Sequence, residues 1–193
     1  MKYSFFIVKL ISLLMIGSAI FFTINVINMK NKFSTAPSTS VIQSGVTGEI
    51  IKVIDGDELV FKDESGTTTV RILGIKSFDT SVNDPQTESI AGFNLLYLKN
   101  KLKNKEVSLV FDKYKRDKLK RLLSYVHLEK EDIGQELIKQ GLAPAYTKYP
   151  FSREASYIKQ EEEAKKKGVG LWGSPKLVNR VNKLKQIWQK NRK

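Results

Sequence analysis

The segment Val70-Arg-Ile-Leu-Gly-Ile-Lys-Ser-Phe-Asp79 decides the fold of this 193-residue chain, together with one shorter segment on each side of it. The upstream segment is Val53-Ile-Asp-Gly-Asp57, and the downstream segment is Asp117-Lys-Leu-Lys-Arg121, which Leu-Leu-Ser-Tyr-Val follows. Each of the three joins strand-forming residues to charged side chains. The strand-forming residues indicate a β-rich domain, and the charged residues at their ends are the candidate functional residues.

The first three strands follow from alternation and turn residues. Gly48–Ile54 alternates and stops at Asp55-Gly56, a tight hairpin signal, after which Glu58–Lys62 resumes the pattern. Glu64–Gly66 forms a second turn, and Thr68–Ile75 is a third strand rich in β-branched residues. The sequence therefore predicts a meander of three antiparallel strands.

Two more strands and three helices complete the predicted domain. The strands are Glu106–Phe111 and Leu122–Leu128, and the first helix places Ala91, Leu95, Leu98 and Leu102 on one face. The second helix is Ile133–Gln140 and ends at Gly141; the third is Ser152–Lys167, with Ser152 as its N-cap and Gly168 as its stop. The order β-β-β-α-β-β-α-α predicts an α+β domain, a small closed barrel with helices packed on it.

Composition excludes several classes of chemistry. The chain has no cysteine, so disulfides, thiolate metal sites and thiol nucleophiles are excluded. His127 is its single histidine, which excludes a multi-histidine metal site. Carboxylates, Arg, Lys and a hard cation are therefore the groups on which hydrolysis is expected to depend.

The net charge of +13 lies at the two ends of the chain. Residues 1–45 hold four lysines and no acid, and residues 175–193 hold seven basic residues and no acid. Residues 46–174 hold 22 basic and all 20 acidic residues, so this middle part is nearly neutral. The total charge alone is therefore no argument for nucleic-acid binding.

The N-terminal segment 5–27 is predicted to be a transmembrane helix. Leu10–Ile27 gives 18 residues without a charge, close to the ~20 that span a bilayer. A cleaved signal peptide is the alternative, but its apolar region is usually shorter, and the best cleavage site, Ser34-Thr35-Ala36, precedes Pro37. Residues 28–46 are a predicted flexible linker, and the lysine distribution favours the domain on the non-cytoplasmic (or organellar intermembrane) side of the membrane.

With Gln140-Gly-Leu-Ala143 and Glu163-Ala-Lys-Lys-Lys-Gly-Val-Gly-Leu-Trp172, the three segments resemble the staphylococcal nuclease (thermonuclease) family. The resemblance runs in order through residues 47–174. It implies a five-stranded OB-fold barrel with three helices, to which this chain adds the N-terminal helix and a basic amphipathic helix at 175–193. It also implies phosphodiester hydrolysis, which needs a positioned water, a general base and cations where negative charge develops.

The resemblance assigns roles to individual residues. In the family, two aspartates and a backbone carbonyl hold Ca²⁺, a glutamate activates water and two arginines stabilise the developing charge. Asp57 matches the first metal aspartate, and the carbonyl of Ser77 matches the carbonyl ligand. Arg71 and Arg121 match the catalytic arginines, whose planar forks can hold phosphate oxygens bidentately.

The same segment departs from the family pattern at the metal site. Lys76 stands where the family has its second metal aspartate, and Asp79 replaces the glutamate base with a side chain one methylene shorter. One interpretation is an ion cluster of Asp57, Lys76 and Asp79 in which the ammonium fills the metal position. The alternative is a weakened or metal-independent nuclease in which Asp79 is the base. The ion-cluster interpretation favours a binding or accessory module of a membrane complex. Ca²⁺ is the expected cofactor only if the site is active.

Substrate-binding residues are also implied. Lys118 and Tyr146 match positions that contact substrate, although the spacing at Tyr146 and Tyr149 differs from the family by about one residue. Leu119 stands where the family has a tyrosine. Residues 99–121 hold ten basic residues against three acids, which predicts either a nucleic-acid-binding face or a solvated surface.

The C-terminal segment 176–193 is predicted to be a basic amphipathic helix. Leu177, Val181, Leu184 and Trp188 fall at helical spacing among seven Lys and Arg residues. Such a helix can lie on anionic lipid, bind nucleic acid, dock onto a membrane protein complex, or pack back on its own domain.

Overall fold

The computed structural model describes residues 15, 18, 23, 45–79 and 84–192. The predicted transmembrane helix 5–27 and linker 28–46 therefore lie almost wholly outside the described residues, of which 15, 18 and 23 are helical. Among the described residues, none belongs to a helix with the length and hydropathy needed to span a bilayer. The chain divides into two compact units, residues 1–40 and 41–193, and the second contains the barrel.

The barrel confirms the predicted strand order. Its sheet runs β3-β2-β1-β4-β5-β6, and a parallel pairing of β3 with β5 closes it. Strand β6 is a two-residue addition that the sequence did not predict. The strands are β1 Val46–Asp55, β2 Glu58–Asp63, β3 Gly66–Ile72, β4 Glu106–Arg116, β5 Leu122–Leu128 and β6 Glu131–Asp132.

Four of the five predicted strands differ from the prediction in their bounds. β2 ends at Asp63 rather than Lys62, and β3 spans Gly66–Ile72 rather than Thr68–Ile75. β1 begins at Val46, one residue inside the predicted linker, because Gly45 donates its N–H to the carbonyl of Leu109 at 2.8 Å. β4 continues from Phe111 to Arg116, beyond the point where the apolar alternation stops.

Within residues 45–79 and 84–192, four helices pack on the barrel, which confirms three predicted helices and the predicted C-terminal one. They are α1 Pro85–Leu102, α2 Ile133–Lys139, α3 Glu154–Lys167 and α4 Pro175–Lys190, with a 3₁₀ turn at Gly170–Gly173. On α1 the predicted apolar face is confirmed: Ala91, Leu98 and Leu102 are buried and Leu95 is partly buried. Each buried large apolar side chain contributes roughly 1.5–3 kcal/mol relative to exposure.

The predicted N-cap of α3 is wrong. Arg153 occupies the N-cap position, and the N–H and hydroxyl of Ser152 instead donate to Asp112 at 2.6 and 2.8 Å. Burial alone would raise the pKa of Asp112, but the hydrogen bonds from Ser152 and from the Tyr125 hydroxyl outweigh that effect and lower the pKa to about 2. The predicted stop is confirmed, because Gly168 caps α3 with a left-handed φ of 62°.

Helix α4 packs back on its own domain. Ser174 caps it, Pro175 stands in its first turn, and its side chains Leu177, Val181 and Trp188 are buried. The main core lies inside the barrel and includes Ile50, Leu59, Phe61 and Val126. Leu177 and Val181 belong to a second core, which includes Phe78, Ile90, Ala91, Ala164, Leu171 and Trp172. The sequence left four arrangements open for this helix, and the structure shows the one in which it packs on its own domain. The apolar face of α4 is therefore covered by protein.

Candidate active site

The turn between β1 and β2 places Asp57 inside the domain. Asp57 is fully buried, its N–H bonds the carboxylate of Asp55 at 2.9 Å, and its carbonyl accepts the N–H of Ile72 at 2.9 Å. Gly56 is required here because a Cβ would lie 2.2 Å from the hydroxyl of Ser77 and 2.5 Å from the amide nitrogen of Asn94. The Asp-Gly-Asp sequence therefore fixes a buried carboxylate at the end of the hairpin.

Four donors hold the Asp57 carboxylate. Arg71 binds it bidentately, Nη1 to Oδ1 at 2.8 Å and Nη2 to Oδ2 at 3.0 Å. Oδ2 also accepts from the Lys76 ammonium at 3.3 Å and from the backbone N–H of Ser77 at 2.8 Å. The Lys76 side chain is 41% exposed. The predicted contact between Asp57 and Lys76 is therefore present in the structure, with Arg71 as an additional partner.

The charge of Asp57 also affects its neighbour Asp55. Burial raises the pKa of Asp55, and the nearby Asp57 carboxylate raises it further. Asp79, the predicted base, lies two residues beyond Ser77 and is exposed at the surface.

These residues do not fit a Ca²⁺ ion as they are arranged. Calcium takes six to eight oxygen ligands, mostly carboxylates and carbonyls. Both oxygens of Asp57 already accept from cations or an N–H, and an ammonium nitrogen lies 3.3 Å from one of them. Within residues 45–79 and 84–192, no group of three acidic or imidazole side chains is placed to hold a metal. A cation entering here must displace Lys76 and overcome its repulsion.

Arg121 is held beside Arg71 by the barrel's closing contact. Arg121 directly precedes Leu122, which pairs with Val70 next to Arg71. The Arg121 guanidinium donates to Asp117 at 2.7 Å and forms a short contact with Glu58, which lies opposite Arg71 in the β2–β3 register. Of the two arginines that the resemblance assigned to phosphate, Arg71 therefore lies on β3 and Arg121 directly before β5, each paired with acids in this structure.

The predicted substrate-binding residues lie in two loops. Lys118 is exposed between Asp117 and Arg121, in a loop whose N–H groups at Leu119 and Arg121 bond the Asp117 carboxylate. Tyr146 is half-buried, and its ring meets that of Tyr149 edge-on at 6.1 Å. Burial raises the pKa of Tyr146, with smaller effects from Tyr149, Arg71 and Asp57.

Sequence reasoning missed three residues around Asp57. Asp55 and Glu58 flank it in the hairpin, and the pairing of β2 with β3 could have indicated that Glu58 faces Arg71. Asn94 is fully buried on α1, and its amide donates to the carbonyls of Gly56 at 3.1 Å and Leu142 at 3.3 Å. Among the described residues its carbonyl oxygen has no hydrogen-bond partner.

Comparison with known proteins gives one consistent result. Residues 69–174 match the model of the family described as staphylococcal nuclease homologue. The chain is 29% identical over 129 residues to a thermonuclease of Staphylococcus hyicus, covering 66% of this chain and 76% of the relative. It is 30% identical over 122 residues to a thermonuclease of Staphylococcus intermedius, covering 63% and 73%. It is 31% identical over 128 residues to an uncharacterized endonuclease of Haemophilus influenzae, covering 65% and 66%.

Proposed function

The chain belongs to the staphylococcal nuclease homologue family, and from this premise we propose that its barrel binds nucleic-acid phosphodiesters but has impaired or lost Ca²⁺-dependent hydrolysis. It then acts as a binding or accessory module at a membrane. One observation carries the proposal: the buried Asp57 carboxylate is bound by Arg71, Lys76 and the N–H of Ser77. The ammonium of Lys76 supplies a positive charge where the family holds its metal.

What remains of the site suits phosphate binding. Arg71 and Arg121 lie on the paired segments β3 and the start of β5, on either side of Glu58, and two guanidinium forks can hold phosphate oxygens bidentately. The basic residues 99–121 occupy the end of α1, strand β4 and the loop that carries Lys118, and this segment ends at Arg121. This supports a face that follows a nucleic-acid backbone, with affinity that falls as salt rises.

The test uses residues 45–193, which contain the barrel, its cores and α4. Calorimetric titration should show no Ca²⁺ binding with a dissociation constant below about 1 mM, which is the weak end of the range for EF-hand calcium sites. A fluorescent oligonucleotide should bind at low salt and dissociate as salt rises, and supercoiled plasmid should remain intact with Ca²⁺. Robust Ca²⁺-dependent nicking would contradict the proposal.

An active nuclease is the second candidate. It is favoured by the 41% exposure of Lys76, which leaves a cation beside Asp57 and Arg71, and by the exposed position of Asp79, where a base could reach solvent water. This candidate acts on DNA or RNA, either as a weakened nuclease that uses Ca²⁺ or as a metal-independent one. The metal-independent form predicts nicking that persists in EDTA, and both forms predict that nicking is lost in Asp79→Asn.

Membrane attachment is the second part of the proposal. We expect segment 5–27 to remain uncleaved, because Leu10–Ile27 is long and uncharged and the best cleavage site, Ser34–Ala36, precedes Pro37. The lysine distribution favours the domain on the non-cytoplasmic side. The full-length protein should resist carbonate extraction and keep its N-terminus. Recovery in the soluble fraction, or a mature N-terminus beyond residue 30, would contradict this prediction.

The exposed side of α4 is the proposed contact for anionic lipid or a membrane protein complex. Lys183 and Lys190 are exposed there, whereas the apolar side chains Leu177, Val181 and Trp188 are buried. Binding through this side must therefore be electrostatic and sensitive to salt.

A further inference from the structure

Helix α4 lies beyond residue 174, where the family match ends, yet it reaches the candidate site. We propose that Trp188 and Lys185 of α4 are positioning residues for segment 144–146, and thereby for Tyr146 and Lys76. The inference rests on the proposed binding of nucleic acid at this site, with Tyr146 as an aromatic contact for a base. Two separate routes connect α4 to the site.

The first route is a contact between rings. Trp188 is 7% exposed, and its ring meets that of Tyr146 edge-on, with centroids 4.8 Å apart and an interplanar angle of 87°. Tyr146 in turn contacts Tyr149, which is 44% exposed. Trp188 therefore supports the inner side of an aromatic pair whose outer member faces solvent, an arrangement on which a base can stack.

The second route passes through a buried carboxylate. Glu161 on α3 is 1% exposed, and it accepts the backbone N–H of Ala145 at 3.0 Å. Its other oxygen is paired with Lys165 at 3.3 Å and with Lys185 of α4 in a short contact. Because a buried carboxylate requires a nearby cation, Lys185 helps to keep Glu161 in place against Ala145.

Segment 144–146 is bonded to the segment that carries Lys76. The N–H of Tyr146 donates to the carbonyl of Gly74 at 2.8 Å, and Ile75 forms a β-bridge with Ala145. The N–H of Lys76 donates to the carbonyl of Pro144 at 3.2 Å. A displacement of residues 144–146 is therefore transmitted to Lys76 and to its contact with Asp57.

Other contacts hold α4 on the domain away from these two routes. Near its start, Arg180 bonds Asp84 at 3.0 Å, and just after its end Arg192 binds Glu154 bidentately at 2.9 Å. These ion pairs, with buried Leu177 and Val181, keep the helix docked when the ring contact alone is removed. A local change at Trp188 can thus be separated from loss of the whole helix.

The test compares Trp188→Leu with Ile187→Ala in residues 45–193. Leucine keeps the site apolar but removes the ring, and Ile187 is a control on the same helix that is 55% exposed. The probes are an oligothymidylate and an abasic oligonucleotide of the same length. Trp188→Leu should weaken oligothymidylate binding about 3- to 10-fold, part of the roughly 5- to 150-fold that a stacked base contributes. Binding of the abasic strand, and the salt dependence of both, should not change.

Hydrogen exchange measures the positioning without any ligand. In Trp188→Leu, protection of the amides of Tyr146 and Lys76 should fall about tenfold or more, whereas that of Leu59 and Val126 in the barrel should not. Trp188→Phe should restore part of the protection, and Lys185→Met should lower it as Trp188→Leu does. Unchanged protection at Tyr146 and Lys76, or equal loss for both oligonucleotides, would overturn the inference. If the wild-type domain binds neither strand, the proposed function fails, while hydrogen exchange still decides whether α4 positions the site.

Discussion

Replacing Asp57 with alanine is expected to lower the free energy of unfolding by about 3–5 kcal/mol, the range for removing one partner of a buried ion pair. The carboxylate is fully buried and holds Arg71, whose side chain is 12% exposed, by two hydrogen bonds. Without it, the guanidinium, the Lys76 ammonium and the N–H of Ser77 lose their shared acceptor. Two positive charges then remain together with no carboxylate between them.

Urea denaturation of residues 45–193 measures this loss, and two variants serve as controls. Lys76→Met removes the partner that is 41% exposed and should cost about 1 kcal/mol or less, because exposed ion pairs contribute little. Glu64→Ala removes an exposed acid in the β2–β3 turn and should change stability by about 0.5 kcal/mol or less. If Asp57→Ala costs no more than these controls, solvent stabilises the cations and Asp57 does not hold the site together.

The strands and helices followed from local signals in the sequence. Alternation defined β1 and β2, β-branched residues indicated β3, and the Asp55-Gly56 turn predicted the hairpin that buries Asp57. The contact between Asp57 and Lys76 was predicted from the resemblance, because the family brings these two positions to one metal. Sequence spacing alone does not indicate it, since 19 residues separate the two side chains.

Features that depend on distant partners were not predicted. Ser152 has the residue type of an N-cap, but Asp112, 40 residues earlier, competes for its hydroxyl and N–H. Glu161 begins a run of three glutamates that is typical of a solvated helix face, yet it is buried against Ala145 and Lys185. The apolar spacing of α4 indicated a face to be covered, but it did not indicate that Tyr146 would meet Trp188.

The double variant Lys76→Asp with Asp79→Glu is expected to create Ca²⁺ binding at about 10⁻⁴ M, within the range of weak protein sites. The first change replaces the ammonium beside Asp57 with a carboxylate, which alters the local charge by two and removes the repulsion of an entering cation. The second change lengthens the candidate base by one methylene, and a displacement of 1 Å can alter a rate about 100-fold. Binding stays weak because Arg71 still competes for both oxygens of Asp57.

Calorimetry and plasmid nicking of the single and double variants test each part separately. Lys76→Asp alone should bind Ca²⁺ but cleave poorly, because its base is still short, and Asp79→Glu alone should show neither property, because the ammonium remains. Lys130→Asp, an equal charge change in the exposed turn between β5 and β6, should leave Ca²⁺ binding unchanged.

A double variant that folds and binds Ca²⁺ without cleaving would show that the loss of nuclease activity has a cause other than the metal site. The first cause to test is then weakened substrate binding. Leu119, which is 72% exposed beside Lys118, stands in place of the family's tyrosine. A folded double variant that does not bind Ca²⁺ would instead show that Arg71 excludes the metal through its hydrogen bonds to Asp57, and that Lys76 does not.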